Sequence, residues 1–221
     1  MTTTSALRRK ISDLLNELLK RGLILLPNPI IEDGDTITWR SSTPLKKFID
    51  FVEYPTIRTY RRWAEAGEYA ALLPDGALLQ IRYRIVNGSI AAHRLAYVPC
   101  PYSIDQDLLE TDPVADVLDL HLSEPHDDVR MQSAVRFDFD PDAAAADHSA
   151  AHMTLNVSSC RIACEAPMSP EDFTRFIYRN FYRDLWSDHS SFFDSLPRSS
   201  SISTVTDTER YYPHIAWRRP S

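Results

Sequence analysis

The chain has 221 residues, of which 43% are hydrophobic and 10% aromatic, and this suits one domain with a full hydrophobic core. A net charge of −7 disfavours coating of nucleic acid along its backbone, because that affinity scales with the phosphates that Lys and Arg neutralise, although a local basic patch is compatible with it. The five glycines form neither GxGxxG nor GxxxxGK[ST], which argues against nucleotide binding through either glycine-rich loop.

The N-terminal segment predicts an amphipathic helix over residues 5–21, with Ser5 as N-cap and Gly22 just beyond its end. Its leucines and isoleucines recur at helical spacing. This apolar stripe indicates packing on the protein's own sheet, and docking on a partner is the alternative. Helices are predicted next over residues 44–52 and 56–67.

The clearest β signal covers residues 69–98. Asp75-Gly76 and Asn87-Gly88 separate three apolar segments, and both dipeptides favour tight hairpin turns. In the second segment polar residues alternate with apolar ones, so one face should be wet and the other buried. The pattern predicts a three-stranded antiparallel meander.

Further elements follow towards the C-terminus. Strands are predicted over residues 133–138, 153–157 and 159–164, the last two joined by a tight turn. A helix begins at Ser169-Pro170, with the serine as N-cap and the proline at the first helical position.

Together these elements predict an α+β fold, with an antiparallel sheet made of the meander plus a further hairpin and covered mainly on one face by helices. Residues 1–190 are predicted to form this single domain, which includes the N-terminal amphipathic helix. Residues 191–221 are rich in serine and then in aromatic and basic residues. They predict a linker and a C-terminal tail.

Aspartates are the first candidates for chemistry. On a strand, Asp138 and Asp140 share one face with Arg136. Two carboxylates at this spacing can hold a divalent ion, as in many phosphoryl-transfer sites. The structural alternatives are that Asp140 caps a helix and that Asp138 pairs with an arginine.

Two histidines and two cysteines lie near these aspartates. If residues 141–151 are helical, His148 and His152 stand one turn apart and could bind a metal with Asp138 and Asp140, although HxxxH alone is unspecific. Cys160 and Cys164 would share one face of a strand, as small buried hydrophobes, metal ligands or, for Cys160, a nucleophile beside a histidine. The candidate functional cluster is Asp138, Asp140, His148, His152, Cys160 and Arg161.

A second candidate site is basic and aromatic. The segment Arg58, Tyr60, Arg61, Arg62 and Trp63 and the C-terminal tail both interleave arginines with rings. That mixture suits single-stranded nucleic acid or a protein partner. It equally suits local packing of arginine stems over rings.

The compartment follows from the cysteines and from the apolar runs. The three cysteines do not show the number or spacing of a disulfide framework, which predicts reduced thiols in a cytoplasmic protein. The first residues lack a signal-peptide pattern, and the longest dense apolar run, Leu23–Leu26, is too short to cross a bilayer. No membrane association is therefore expected, and the sequence sets no oligomeric state.

The string HSAAHMTLNVSSCRIACEAPMSPEDFTRFIYRNFY, from His148 to Tyr182, resembles an uncharacterised bacterial family, domain of unknown function 2290. The Asp-Gly hairpin at residues 74–84 and His93-Arg94 are similar too, so the resemblance covers about residues 5–185. Family members carry a proline after the first histidine, where this chain has Ser149. The label carries no activity. The resemblance implies a bacterial cytosolic protein and an accessory gene of a mobile or defence-type locus.

Two functions are compatible with these patterns. The first is a non-enzymatic accessory or interaction protein of a bacterial cytosolic system, without a cofactor, that docks on a protein partner through its first helix or its tail. The alternative is a metal-dependent hydrolase acting on phosphodiesters, with a divalent metal on Asp138, Asp140, His148 and His152. Nucleic-acid binding is disfavoured by the net charge.

Overall fold

A computed structural model of the chain describes residues 3–41, 48–49, 56–104, 106–122, 129–198 and 202–217. These residues form seven α-helices and ten β-strands, which confirms the predicted α+β class. The helix predicted over residues 44–52 lies mostly outside them. Across the described ranges, no helix is both long enough and apolar enough to cross a membrane.

The ten described strands form a single sheet in the order β1-β4-β5-β6-β7-β8-β9-β10, and the β2–β3 hairpin joins it through β3 and β5. Neighbouring strands are antiparallel except β10, which runs parallel to β9. The antiparallel neighbours β4, β5 and β6 confirm the predicted meander. The strands are β1 Leu26–Pro27, β2 Ile30–Asp33, β3 Thr36–Trp39, β4 Ala71–Leu72, β5 Leu78–Val86, β6 Ser89–Val98, β7 Val135–Phe139, β8 Ala151–Leu155, β9 Arg161–Cys164 and β10 His214–Ile215.

The first helix packs on the protein's own sheet through the predicted apolar stripe, whose members Leu7, Ile11 and Leu18 are buried. Its N-cap is Thr3, whose Oγ1 accepts a hydrogen bond from the Ala6 N–H at 3.1 Å, and the prediction of Ser5 was wrong by two residues. The helices are α1 Thr4–Lys20, α2 Ile57–Ala66, α3 Gln106–Thr111, α4 Val114–Leu122, α5 Pro170–Phe181, α6 Arg183–Asp188 and α7 Ser190–Ser195.

The sheet has two chemically different faces. On the first face, Tyr83 donates a hydrogen bond to the Met168 carbonyl at 2.8 Å, and the Phe137 ring contacts Phe173 and Phe176 of α5. This face is the main core because α1 and α5 lie over it, linked to each other by the 3.0 Å ion pair between Lys10 and Glu171.

The second face is polar along its middle strands. At one end, buried Ile49 and Glu68 lie against it. The Gln80 amide bonds to both: its oxygen accepts from the Ile49 N–H at 3.1 Å, and its nitrogen donates to the Glu68 carbonyl at 2.7 Å. The candidate site lies beside this covered end.

The start of α5 is as predicted, with Ser169 as N-cap and Pro170 in the first turn. Ser169 Oγ accepts from the Asp172 N–H at 3.1 Å and donates to the Asp172 carboxylate at 2.8 Å. We expect Ser169→Ala to lower the free energy of unfolding by about 1 kcal/mol, because the amide loses its cap. Urea denaturation measures this, with Ser190→Ala, on an exposed residue at the start of α7, as the control. Equal stability of both variants would contradict the capping role.

Two predictions between residues 141 and 198 need correction. Residues 141–151 do not form a helix: a 3-10 helix spans Pro141–Ala143, and β8 begins at Ala151, because pairing with β7 outweighs the helical preference of the alanine-rich run. The predicted linker from residue 191 begins with the rest of α7, where Phe193 is fully buried. The division of the chain at residue 190 itself stays a prediction.

Candidate functional site: an arginine-lined pocket

A pocket of about 430 Å³ opens on the second face of the sheet, over β5 to β9. We call it the arginine pocket after the five arginines that line it. It also contains aspartate and histidine side chains from the predicted cluster. The charged and polar lining residues are Thr36, Arg82, Arg84, His93, Arg94, Arg136, Arg161, Asp138, Asp140, His148 and His152.

Strand register brings these residues together. Arg82 of β5 pairs with Arg94 of β6, Arg94 pairs with Asp138 of β7, and Asp138 pairs with His152 of β8. Directly paired residues point to the same side of a sheet. One row across four strands therefore places two arginines, a carboxylate and an imidazole side by side.

Asp138 is the buried anion of the pocket. Its Oδ1 accepts from Arg94 Nε at 2.8 Å, and its Oδ2 accepts from Arg136 Nε at 2.6 Å. Burial alone would raise the pKa of Asp138, but the charges and hydrogen bonds of Arg136 and Arg94 outweigh burial and hold this pKa below its usual value. Asp138 is thus an ionised partner for arginines, as the structural alternative predicted.

The positive charge exceeds what the carboxylates neutralise. Arg82 and Arg94 face each other and both lie over the Phe48 ring, at 5.6 and 5.7 Å from its centre. Burial, and then the charge of Arg94, lower the pKa of Arg82. Within the described ranges, neither Arg82 nor Arg161 has a carboxylate at ion-pair distance. The Arg84–Asp142 pair is 3.4 Å long and exposed.

The two histidines meet without a helix. A turn bridges Ala145 and His148, β8 then carries His152, and the two rings lie 4.7 Å apart between centres. His152 Nδ1 is 2.9 Å from the Ser149 carbonyl, which can only accept, so Nδ1 carries the proton. Burial lowers the pKa of His152, which favours the neutral ring at pH 7. Its Nε2 lies 3.5 Å from Asp138.

Most of the predicted cluster converges. Asp138, Asp140, His148, His152 and Arg161 all line the arginine pocket. Asp140 also acts as the N-cap that the structural alternative predicted, because its Oδ1 accepts from the Asp142 N–H at 3.2 Å. In the part of the chain that the structure describes, no three His, Cys, Asp or Glu side chains are arranged to hold a metal ion.

The cysteines do not share a face. Cys160 is exposed in the turn before β9 and does not line the pocket, whereas Cys164 is buried within β9. Burial raises the pKa of Cys164 to about 12, so this thiol stays protonated at neutral pH. The prediction failed because the strand begins one residue after Cys160.

The basic and aromatic segment of α2 mainly serves packing. Tyr60 and Trp63 are buried, and the Tyr60 hydroxyl donates to the Gly76 carbonyl at 2.5 Å. Arg61 pairs with Glu65 and Asp119. Arg58 and Arg62 remain exposed, so this surface offers charge but no ring for stacking.

In the tail, Tyr211 and Tyr212 are exposed, and β10 pairs with β9. Arg218 and Arg219 lie outside the described residues.

Sequence reasoning left the arginines of β5 and β6 out of the candidate site. The alternation in the second segment predicts only a wet face for its polar positions, among them Arg82 and Arg84, and Arg94 enters only through the family resemblance. The available signal was the alternation itself: charged residues at every second position of a strand indicate a cationic face rather than a merely solvated one.

Comparison with known proteins finds a match between the chain and one family model. A family model described as an uncharacterized conserved protein, DUF2290, matches residues 26–217. No curated protein and no solved structure matches the chain.

Proposed function

Since the chain belongs to DUF2290, a family of uncharacterised conserved proteins whose description assigns no activity, we propose a function from the geometry of the arginine pocket. The protein is a non-enzymatic accessory protein of a bacterial cytosolic system. It acts by binding a phosphate-bearing ligand in this pocket.

The excess of arginine carries the proposal. Five arginines and two aspartates line the pocket of a chain whose net charge is −7, so positive charge is concentrated against the overall balance. The guanidinium group is planar, is always charged and donates in a fork that matches phosphate oxygens. A phosphate group would relieve the repulsion between Arg82 and Arg94.

Binding fits the pocket better than turnover. Asp138 is held by two arginines, and Thr36, the pocket's only described hydroxyl-bearing residue, donates its hydroxyl to Asp35 at 3.0 Å. Asp35 is exposed and adjacent in sequence to Thr36, and among the described lining residues no hydroxyl or thiol is hydrogen-bonded to a histidine, the base that most often activates such a nucleophile.

Inorganic pyrophosphate tests the proposal. We expect it to bind the full chain in isothermal titration calorimetry, and we expect Arg161→Ala to weaken binding about tenfold, the loss of one charge-assisted contact. The matched control is Arg62→Ala on the exposed side of α2, which should leave affinity unchanged. No heat of binding with the unmodified chain, or equal losses in both variants, would overturn the proposal.

A metal-dependent phosphodiesterase is the second candidate, and the adjacent rings of His148 and His152 favour it. Asp138 fits poorly as a ligand, because each of its oxygens already accepts from an arginine, and an Asp140 oxygen is engaged in capping. Mass spectrometry of the purified chain and of His148→Ala/His152→Ala would support a metal site only if a stoichiometric ion is lost in the variant.

A protein partner is part of the accessory role. Of the two predicted docking pieces, α1 buries its apolar stripe in the core. The exposed rings of Tyr211 and Tyr212 are therefore the better contact surface for a partner.

A further inference from the structure

We propose further that the group held in the arginine pocket is the terminal phosphate or pyrophosphate of a nucleotide, rather than a phosphodiester within a nucleic-acid strand. This inference rests on the proposed function and specifies its ligand. Three properties of the pocket support it: its charge relative to its size, the graded burial of its arginines, and its setting in an acidic protein.

The charge is large for the available volume. The lining arginines and aspartates leave three positive charges around about 430 Å³, a volume in the range of pockets that enclose one small ligand. An internal diester brings a single negative charge per nucleotide. A terminal phosphate brings about −1.5 to −2 at pH 7, and a pyrophosphate brings more. Only the terminal group approaches neutralisation of the pocket.

The arginines are graded in depth. The Arg136 side chain is only 8% exposed, whereas Arg84 and Arg94 are 39% and 41% exposed. Arg136 also donates to the carbonyl of buried Ile49 at 2.8 Å, so it lies at the deep end of the pocket. A ligand with its charge concentrated at one end can place that end towards the buried arginine, whereas a strand of internal diesters carries the same charge along its whole length.

The negative charge of the rest of the protein favours a compact anion over a long one. Outside the pocket the chain is strongly acidic, and a long polyanion would be repelled wherever it left the arginines. At physiological ionic strength, charges more than about 8 Å apart are largely screened. A ligand confined to the pocket therefore experiences mainly the arginines.

Two sources share this chemistry: a free nucleotide and the phosphorylated end of a strand. Binding would be measured at 0.15 M salt without metal, using ADP, adenosine, and a ten-residue oligothymidylate with either a 5′-phosphate or a 5′-hydroxyl. We expect at least tenfold tighter binding of a phosphorylated probe than of its unphosphorylated partner. ADP preferred over adenosine assigns the free nucleotide, and a preference confined to the oligonucleotides assigns the strand end.

The variant Arg82→Ala/Arg161→Ala should lose this preference, and Arg58→Ala/Arg62→Ala should keep it. If the first variant does not fold, a competition experiment on the unmodified chain provides the same test. Pyrophosphate should displace the phosphorylated probe, and chloride at equal ionic strength should not. Equal binding of both oligonucleotides, lost in the pocket variant, together with no preference for ADP over adenosine, would overturn this inference and leave the proposed function intact. Absence of binding by every probe and by pyrophosphate would overturn both.

Discussion

Asp138→Asn is expected to lower the free energy of unfolding by about 3 kcal/mol at pH 7 in phosphate-free buffer, because it removes the buried carboxylate charge that accepts from Arg136 at 2.6 Å. The same substitution removes a negative charge from the arginine pocket. It should therefore tighten pyrophosphate binding, by about tenfold if the gain is ~1.4 kcal/mol. A single change then weakens the free fold and strengthens the complex.

Urea denaturation with and without pyrophosphate measures both effects. Asp142→Asn is the matched control, since this carboxylate is 84% exposed and pairs only loosely with Arg84; its stability should change by no more than about 0.5 kcal/mol. If Asp138 were instead a metal ligand, Asp138→Asn would weaken metal binding and would not tighten the binding of pyrophosphate. Weaker pyrophosphate binding by Asp138→Asn would count against the pocket as an anion site.

The second large effect concerns pH and His93. This residue lies on the first face of the sheet, between the rings of Tyr83 and Phe139, and its Nε2 accepts from the Met168 N–H at 2.8 Å. Burial lowers the pKa of His93 to about 4, against about 6.5 in the unfolded chain. Between these values the unfolded state binds the proton and the folded state does not.

The contribution of neutral His93 to the free energy of unfolding is therefore fully present above about pH 6.5. It decreases as the pH drops towards 4, by about 3 kcal/mol in total. We expect His93→Gln, whose amide oxygen can still accept from Met168, to flatten this pH dependence by that amount. Denaturation curves at pH 7 and pH 4.5 make the comparison, with His214→Gln on an exposed histidine as control. Parallel pH profiles for the unmodified chain and His93→Gln would refute this role.

Local signals predicted the meander but not its register. The Asn87-Gly88 turn pairs Val86 with Ser89, and with this spacing alone Arg82 would lie opposite His93. A register shift between Arg84 and Ile85 inserts one extra residue into β6, so that Arg82 faces Arg94 and His93 turns into the core. A bulge depends on packing of both strands, and the turn residues do not reveal it.

Only part of the arginine pocket could be predicted, because local sequence again does not reveal how distant strands pair. Asp138, Asp140, His148 and His152 lie close in the chain, so crowding in the sequence indicated a shared site. The arginines of β5 and β6 join them only through pairing of β6 with β7, in which Arg94 meets Asp138, 44 residues away in sequence. Long-range pairing of this kind leaves no mark in local spacing.

The two histidine rings are adjacent as the sequence predicts, although the helix expected to place them does not form. Spacing of four residues in an alanine-rich run predicted adjacent rings on a helix. The rings are adjacent, but a turn and the start of β8 place them. Propensity is a weak guide wherever a strand can gain a full set of partners in a sheet.

The facing pair Arg82 and Arg94 creates a conflict between folding and binding. Like charges directly opposite on neighbouring strands oppose folding. Neutral residues at such positions would make the free protein more robust, and stabilising substitutions of this kind are easy to find. Heat-based selection of improved variants without ligand would therefore erode the binding surface first, and selection with pyrophosphate present would preserve it.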